Sequence, residues 1–341
     1  MPTTYAIPDG RVAMAASLFT GTGASLAVAN TVNGVNFQPD FVWVKGRSGA
    51  TDHALYDSVR GTTKDLVSNA TSAETTQATG LTAFGSTGFT VGALAKMNTS
   101  AATYVGWQWK AGGTAVSNTA GSITSSVSAN ATAGFSVVTY MGTGANATVG
   151  HGLGVAPKMM IVKQRSAVND WIVYHSVLGS GSAVYLNLTN ANAAATAWNS
   201  TSPTSSVFSV GTSNIINQSG QTYVAYCFSE VAGYSKFGSY TGNGSADGPF
   251  VFTNFQPRYI LLKSTSTGDW VTYDSSRNPY NVEDLYLYPN SSAAEAGSGT
   301  PRIDFLSNGF KIRNTGQSNV SGETIIYMAF ASNPLKYSNA R

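Results

Sequence analysis

The chain has 341 residues, 42% of them hydrophobic and only 10% charged, with a formal net charge of +3. A typical soluble domain carries about 25% charged residues, so the polar surface must come from Ser, Thr, Asn and the 36 Gly, which suits a turn-rich β-protein. Scattered Lys and Arg argue against nucleic-acid binding, no stretch reaches the ~20 apolar residues of a membrane helix, and the one cysteine, Cys227, excludes an internal disulfide framework and reads as a small core residue.

In chain order, residues 1–17 hold Pro2 and Pro8 and are too few for a domain. They lack the basic and apolar regions of a secretion signal. They are expected to form a docking segment on a protein made in the cytoplasm and not secreted. A β-rich stretch follows over 18–112. It runs from "FTGTG" at Phe19 through Pro39 to the apolar run "FVWVKGRS" with Lys45, then "DHALYDS" (52–58), "GFTVG" (88–92), Asn98 and "TYVGWQW". Residues 113–120 read as a small-residue linker, and "ITSSVSA" after it as a first strand.

The same series then returns over 121–232: "YMGTG" from Tyr140, Pro157, "MIVKQRS" with Lys163, "DWIVYHS" (170–176), "VFSVG" (207–211), Asn217 and "TYVAYCF". It returns again over 233–341: "YTGNG" from Tyr240, Pro257, "ILLKSTS" with Lys263, "DWVTYDS" (269–275), "GFKIR" (309–313), Asn319 and "TIIYMAF". Short runs bounded by Gly, Asn, Asp and Ser are the mark of strands and hairpins. Helical periodicity is absent, apart from a turn around "TTKDLVSN" (62–69). The reading is an all-β chain of three tandem antiparallel β-sandwich repeats, jelly-roll-like and about 100 residues each. The second and third should pack closely across the short "EVAGYSKFGSY" (230–240).

The repeat-signature residues Pro39, Lys45, Pro157, Lys163, Pro257 and Lys263 have a structural explanation. Each lysine lies where a buried strand emerges, so its stem covers apolar surface, its ammonium reaches water, and its charge discourages edge pairing. A ligand-binding role is the alternative. His53 stands where the other units have Trp171 and Trp270, and His175 where they have Asp57 and Asp274. Three histidines so placed build no metal site, and no cofactor is expected. "HGLG" (151–154) suggests an oxyanion loop but has no G-x-S-x-G partner. Asp57 and Asp274 belong to equivalent places in different units, so they do not make the close carboxylate pair of a glycosidase. Trp171 and Trp270 follow acidic turn residues, where a ring could stack on a sugar face or a protein partner; the competing reading is a core tryptophan. Trp107 and Trp109 share one face of their strand and read as core or inter-domain contact. No catalytic residue emerges.

The phrases "GSITSSVSANATAGFSVVTYMGTGANATVGHGLGVAPKMMIVKQRS" and "GYSKFGSYTGNGSADGPFVFTNFQPRYILLKSTS", with the closing "YMAFASNPLKYSNAR", resemble tailed-bacteriophage structural proteins. These carry a repeated domain of uncharacterised function and occur notably in phages of aquatic bacteria. The resemblance runs from about residue 14 to the C-terminus and assigns no site residues; the first unit departs from the pattern at His53. It implies a virion location and a role as a tail-associated fibre or adhesin in host attachment, with a capsid decoration protein or head fibre as the alternative. A carbohydrate-active enzyme lacks a constellation here. The implied partners are other virion proteins, a host-surface glycan or protein, and two further copies in a homotrimer that buries sheet edges.

Overall fold

Each lysine-bearing run forms a strand in the middle of a sheet, and this placement organises the whole molecule. The computed structural model describes residues 4–297 and 299–334 and is almost wholly antiparallel β. In the first stretch, β1 (Met14–Thr20), β2 (Phe41–Gly46), β3 (Ala54–Asp57) and β4 (Thr103–Trp109) form a sheet in the order β1-β4-β2-β3. The second stretch repeats it with β5 (Phe135–Met141), β6 (Met159–Gln164), β7 (Trp171–His175) and β8 (Thr222–Phe228), in the order β5-β8-β6-β7. In the third, β9 (Ser235–Thr241), β10 (Phe255–Ser264), β11 (Trp270–Asp274) and β12 (Thr324–Pro334) take the order β9-β12-β10-β11. Register agrees as well: Lys45, Lys163 and Lys263 stand opposite Val105, Val224 and Ile326 of the closing strands.

A smaller layer accompanies each large sheet: Leu26–Ala29, Gly88–Val91 and Leu81–Gly85 in the first stretch, Ala147–Gly150 and Val207–Val210 in the second, and Phe250–Phe252, Gly309–Ile312 and Ile303–Leu306 in the third. A buried asparagine ties the glycine loop to it. The Asn98 Oδ1 accepts from Thr22 N at 2.7 Å while its Nδ2 donates to Ala24 O and Gly92 O. Asn217 makes the same three bonds, to Thr143, Ala145 and Gly211, and Asn319 makes their counterparts to Asn243, Ser245 and Asn314. The loop's first glycine is required by closeness: a Cβ on Gly21 would overlap the Thr99 carbonyl.

Along β2 every residue is buried, without the in/out alternation of a sheet with one wet face. The reason is that both faces are covered. Val42 and Val44 face the small layer of their own unit, whereas Phe41 and Trp43 join a core shared by all three units. The second unit divides in the same way: Met160 and Val162 face inward to its own sandwich, Met159 and Ile161 to the shared core. At the centre Trp109, Phe228 and Phe330, the last aromatic of each closing motif, meet as a triangle with ring centroids 6.3, 5.9 and 6.0 Å apart. The sheets therefore close around a pseudo-threefold axis inside one chain.

Several expectations change accordingly. The sandwiches are not independent beads, and the first unit is bound to both others. Of the expected docking segment 1–17, residues 1–3 lie outside the described residues, and the remainder packs on the body: Tyr5 and Ile7 are buried, Ile7 lies in the shared core, and Met14 already begins β1. Within the expected linker, Val116–Asn118 is a strand paired with Ser125–Asn130 on the edge of the second sheet. Residues 62–69 contain a two-residue strand, Lys64–Asp65, in place of a helical turn. Among the described residues the helical turns are Gly10–Val12, a 3-10 turn, and the α-helical Ala95–Asn98 and Asn214–Asn217. Pro39 and Pro157 precede their strands as read, but Pro257 lies inside β10, at the shift in pairing between Gln256 and Tyr259.

Candidate functional site

The residues singled out in the sequence converge on the joints between units. Trp171 is fully buried and its Nε1–H donates to Val67 O of the first unit at 2.8 Å; Trp270, equally buried, donates to Tyr185 O of the second at 2.8 Å. Neither ring has a face open to a ligand, which favours the core reading of these tryptophans over the stacking one. His53 completes the ring. Its Nδ1 accepts from Trp43 Nε1–H at 2.8 Å, which leaves the proton on Nε2 to donate to Tyr288 O of the third unit at 3.0 Å. Burial lowers its pKa to about 3 and keeps it neutral. Histidine thus substitutes for tryptophan as an N–H donor.

The lysines also differ from expectation. All three are buried, with Nζ donating to carbonyls: Lys45 to Gly46 O and Ser292 O, Lys163 to Gln164 O, Asn169 O and Thr71 O, Lys263 to Ser264 O and Ser266 O. Two of them reach across a joint. Desolvation lowers each pKa to about 8.

A second ring of contacts uses the positions of Asp57, His175 and Asp274. Asp57 pairs with Arg60 and accepts from Tyr226 OH of the second unit at 2.8 Å. Asp274 pairs with Arg277 at 2.6 Å and accepts from Trp107 Nε1 of the first unit at 3.0 Å. The closing strand of the third unit has Met328 where the others have Trp107 and Tyr226, and Met offers no donor. Facing it, the second unit has His175, whose Nδ1 accepts from Val177 N while Nε2 donates to Tyr327 O at 3.2 Å. The ionic partners change together. Glu74 bridges Arg60 and Arg165, and Glu295 bridges Arg277 and Arg47. At the remaining joint the equivalent positions are Leu178, Asn192 and Thr265, all neutral, while Asn192 N still donates to Thr265 O as Glu74 N does to Arg165 O. Sequence reading noted the histidine replacements but had no means of pairing them with Met328 across a joint.

Among several clefts of similar size, one of about 340 Å³ lies in the third unit, at the small end of ligand pockets (about 300–1,000 Å³). From the large-sheet side come Asp269 and Tyr273; beside them stand Tyr286 and Tyr288, and across from the small layer come Arg302, Asn314 and Gln317. Desolvation, reinforced by Tyr286, holds the Tyr288 hydroxyl well above its ordinary pKa, so it is a neutral donor and acceptor. The Arg302 guanidinium lies 5.1 Å from the Tyr286 ring centroid, and its Nε–H has no hydrogen-bond acceptor among the described residues.

The other units close this space. A Cβ on Gly80 would overlap the hydroxyl of Tyr56, the counterpart of Tyr273, and Trp198 packs edge-on against Tyr174 at 5.6 Å. Among the described residues no group of three or more His, Cys, Asp or Glu is placed to hold a metal.

One family matches, described as a domain of unknown function (DUF7483), over residues 13–334. The chain belongs to this family. A single match across all three units accords with the shared core. No curated protein matches the chain, and no solved structure matches it.

Proposed function

We propose that the chain is a structural, non-catalytic protein of a bacteriophage particle, acting as a tail-associated fibre or adhesin that contacts the host surface. The observation that carries this reading is where the ionisable groups lie. Asp57, Arg60, Glu74, Arg165, Arg47, Glu295, Asp274 and Arg277 are all engaged as locks between units. Those locks neutralise the two aspartates that might have served as an acid–base pair. What remains is a body closed around one shared core, with few charges, whose polar exterior rests on Ser, Thr and Asn. The resemblance to phage structural proteins supports the setting. The inner aromatic faces are filled within one chain, so a homotrimer, like association with other particle proteins, would use sheet edges and other outer surfaces.

Immunogold labelling of purified particles tests the reading. Label on the tail is expected. Label on capsid faces would favour a decoration protein, and particles without this chain would overturn the proposal. Release of sugars from host polysaccharide by the purified protein, abolished by changing Asp57 or Asp274, would overturn its non-catalytic part.

A further inference from the structure

We infer that the cleft of the third unit binds a saccharide carrying a carboxylate, such as a uronic or nonulosonic acid. The inference names a ligand for the attachment role proposed above and rests on that reading only for its biological context; the binding itself is argued from the cleft.

The three units share one tyrosine and differ in what surrounds it. Tyr56, Tyr174 and Tyr273 hold the same place, three residues after His53, Trp171 and Trp270. The first unit presses the Gly80 backbone against its tyrosine, and the second covers its own with Trp198, which is fully buried. Only in the third is the filler replaced by a long cation, Arg302, together with a tyrosine pair, Tyr286 and Tyr288, at 5.2 Å. Their counterparts in the other units are Asp65 and Val67, and Ala183 and Tyr185. This cleft is kept open by substitution at several positions of one unit, where the other two units fill the same place.

The available valences describe that occupant. Asp269 is held in place because its Oδ1 accepts from Asn290 Nδ2 at 2.7 Å, and its other oxygen is left to accept. Gln317 Oε1 accepts from Asp269 N at 2.9 Å, which turns the amide N–H groups outward as donors. An acceptor beside a donor matches a pair of sugar hydroxyls. The half-buried faces of Tyr286 and Tyr288 suit the C–H face of a pyranose. Arg302 lies over Tyr286 and lines the cleft, and it forms no ion pair with a carboxylate among the described residues; its Nε–H is itself buried, so the terminal Nη groups are the ones that meet a ligand. Such a planar, weakly hydrated cation is the complement of a carboxylate. The fixed end of the cleft also touches a joint, since Tyr288 lends its carbonyl to His53.

The test titrates the full chain with D-glucuronate, N-acetylneuraminate, D-glucose and D-glucose 6-phosphate, followed by saturation-transfer NMR and calorimetry. Saturable binding of at least one carboxylate sugar, at least ~10-fold tighter than glucose, is expected from one charge-assisted contact. Arg302→Gln should remove that preference, and Asp269→Asn should weaken the same sugar while leaving the preference for the charged form. Equal binding of glucose, binding of the phosphate alone, or no binding of either acid would overturn the inference, as would an Arg302→Gln variant of unchanged preference. These outcomes are read on purified protein, so they are distinct from the particle-labelling result: a chain absent from particles that still binds glucuronate would leave this inference standing.

Discussion

Arg60 is the residue whose loss should be felt most. Its side chain is fully buried and makes contacts in every direction. Nε meets Asp57, Nη1 donates to Lys64 O and Glu74 Oε2 at 2.9 and 3.0 Å, and Nη2 donates to Leu55 O and Tyr226 OH at 2.9 and 3.2 Å. Arg60→Leu installs the residue that the second unit already has at this position, Leu178. It leaves Asp57 charged, fully buried and without its cation, and breaking a buried pair in this way costs about 3–5 kcal/mol. For a chain of 341 residues that unfolds as one body, this corresponds to a fall in Tm of roughly 4–7 °C. Converting the whole joint to the neutral set seen between the second and third units is a different perturbation. Asp57→His, Arg60→Leu, Glu74→Asn, Arg165→Thr and Tyr226→Met together strand no charge, and replacing a buried ionic cluster with apolar groups is often near neutral. The five-fold variant should therefore be more stable than the single one. Guanidinium unfolding followed by tryptophan fluorescence measures both. A single variant costing under about 1 kcal/mol, or a five-fold variant less stable than it, would refute the account of the joints.

Three further outcomes follow from the same structure. Because the units share a core, calorimetry should show one cooperative transition, and deletion of residues 1–17 should abolish it by removing Ile7 and half of β1; separate transitions, or a truncated chain that melts normally, would contradict the shared core. Unfolded histidines protonate near pH 6.5, whereas burial holds His53 and His175 neutral down to about 3 and about 4. The unfolded chain therefore binds more protons in that window, and stability, fully present above pH 6.5, should fall as the pH drops toward 4 and on toward 3. His53→Gln, which keeps an acceptor for Trp43 and a donor for Tyr288, should flatten the fall measured by denaturation across pH; an unchanged slope would exclude His53 as a source. Trp171→Phe and Trp270→Phe each strip the donor from a buried carbonyl and should cost about 1–3 kcal/mol, with saccharide binding unaltered by Trp171→Phe; stability within error of the parent would show that these rings serve some other end.

The sequence alone settled the all-β class and the recurring landmarks, because strand alternation, glycine loops and buried asparagines are local demands that each unit must meet separately. The same strands in the same register follow from those demands, down to the lysines opposite Val105, Val224 and Ile326. It left the second face of each large sheet undecided. A run such as "FVWVKG" reads as buried whether its outer face meets a neighbour in the same chain or a separate molecule, and periodicity carries no label for the partner. Only the tertiary structure showed that the three outer faces meet one another at Trp109, Phe228 and Phe330. For that reason Trp171 and Trp270 became locks instead of ligand platforms, and the lysines came to cap carbonyls instead of reaching water. The cleft was hidden for a related reason. Asp269, Tyr286, Arg302 and Gln317 come from four separate segments whose proximity depends on how one small layer sits on one large sheet. That spacing is set by packing, where Trp198 fills in one unit what Arg302 leaves open in another.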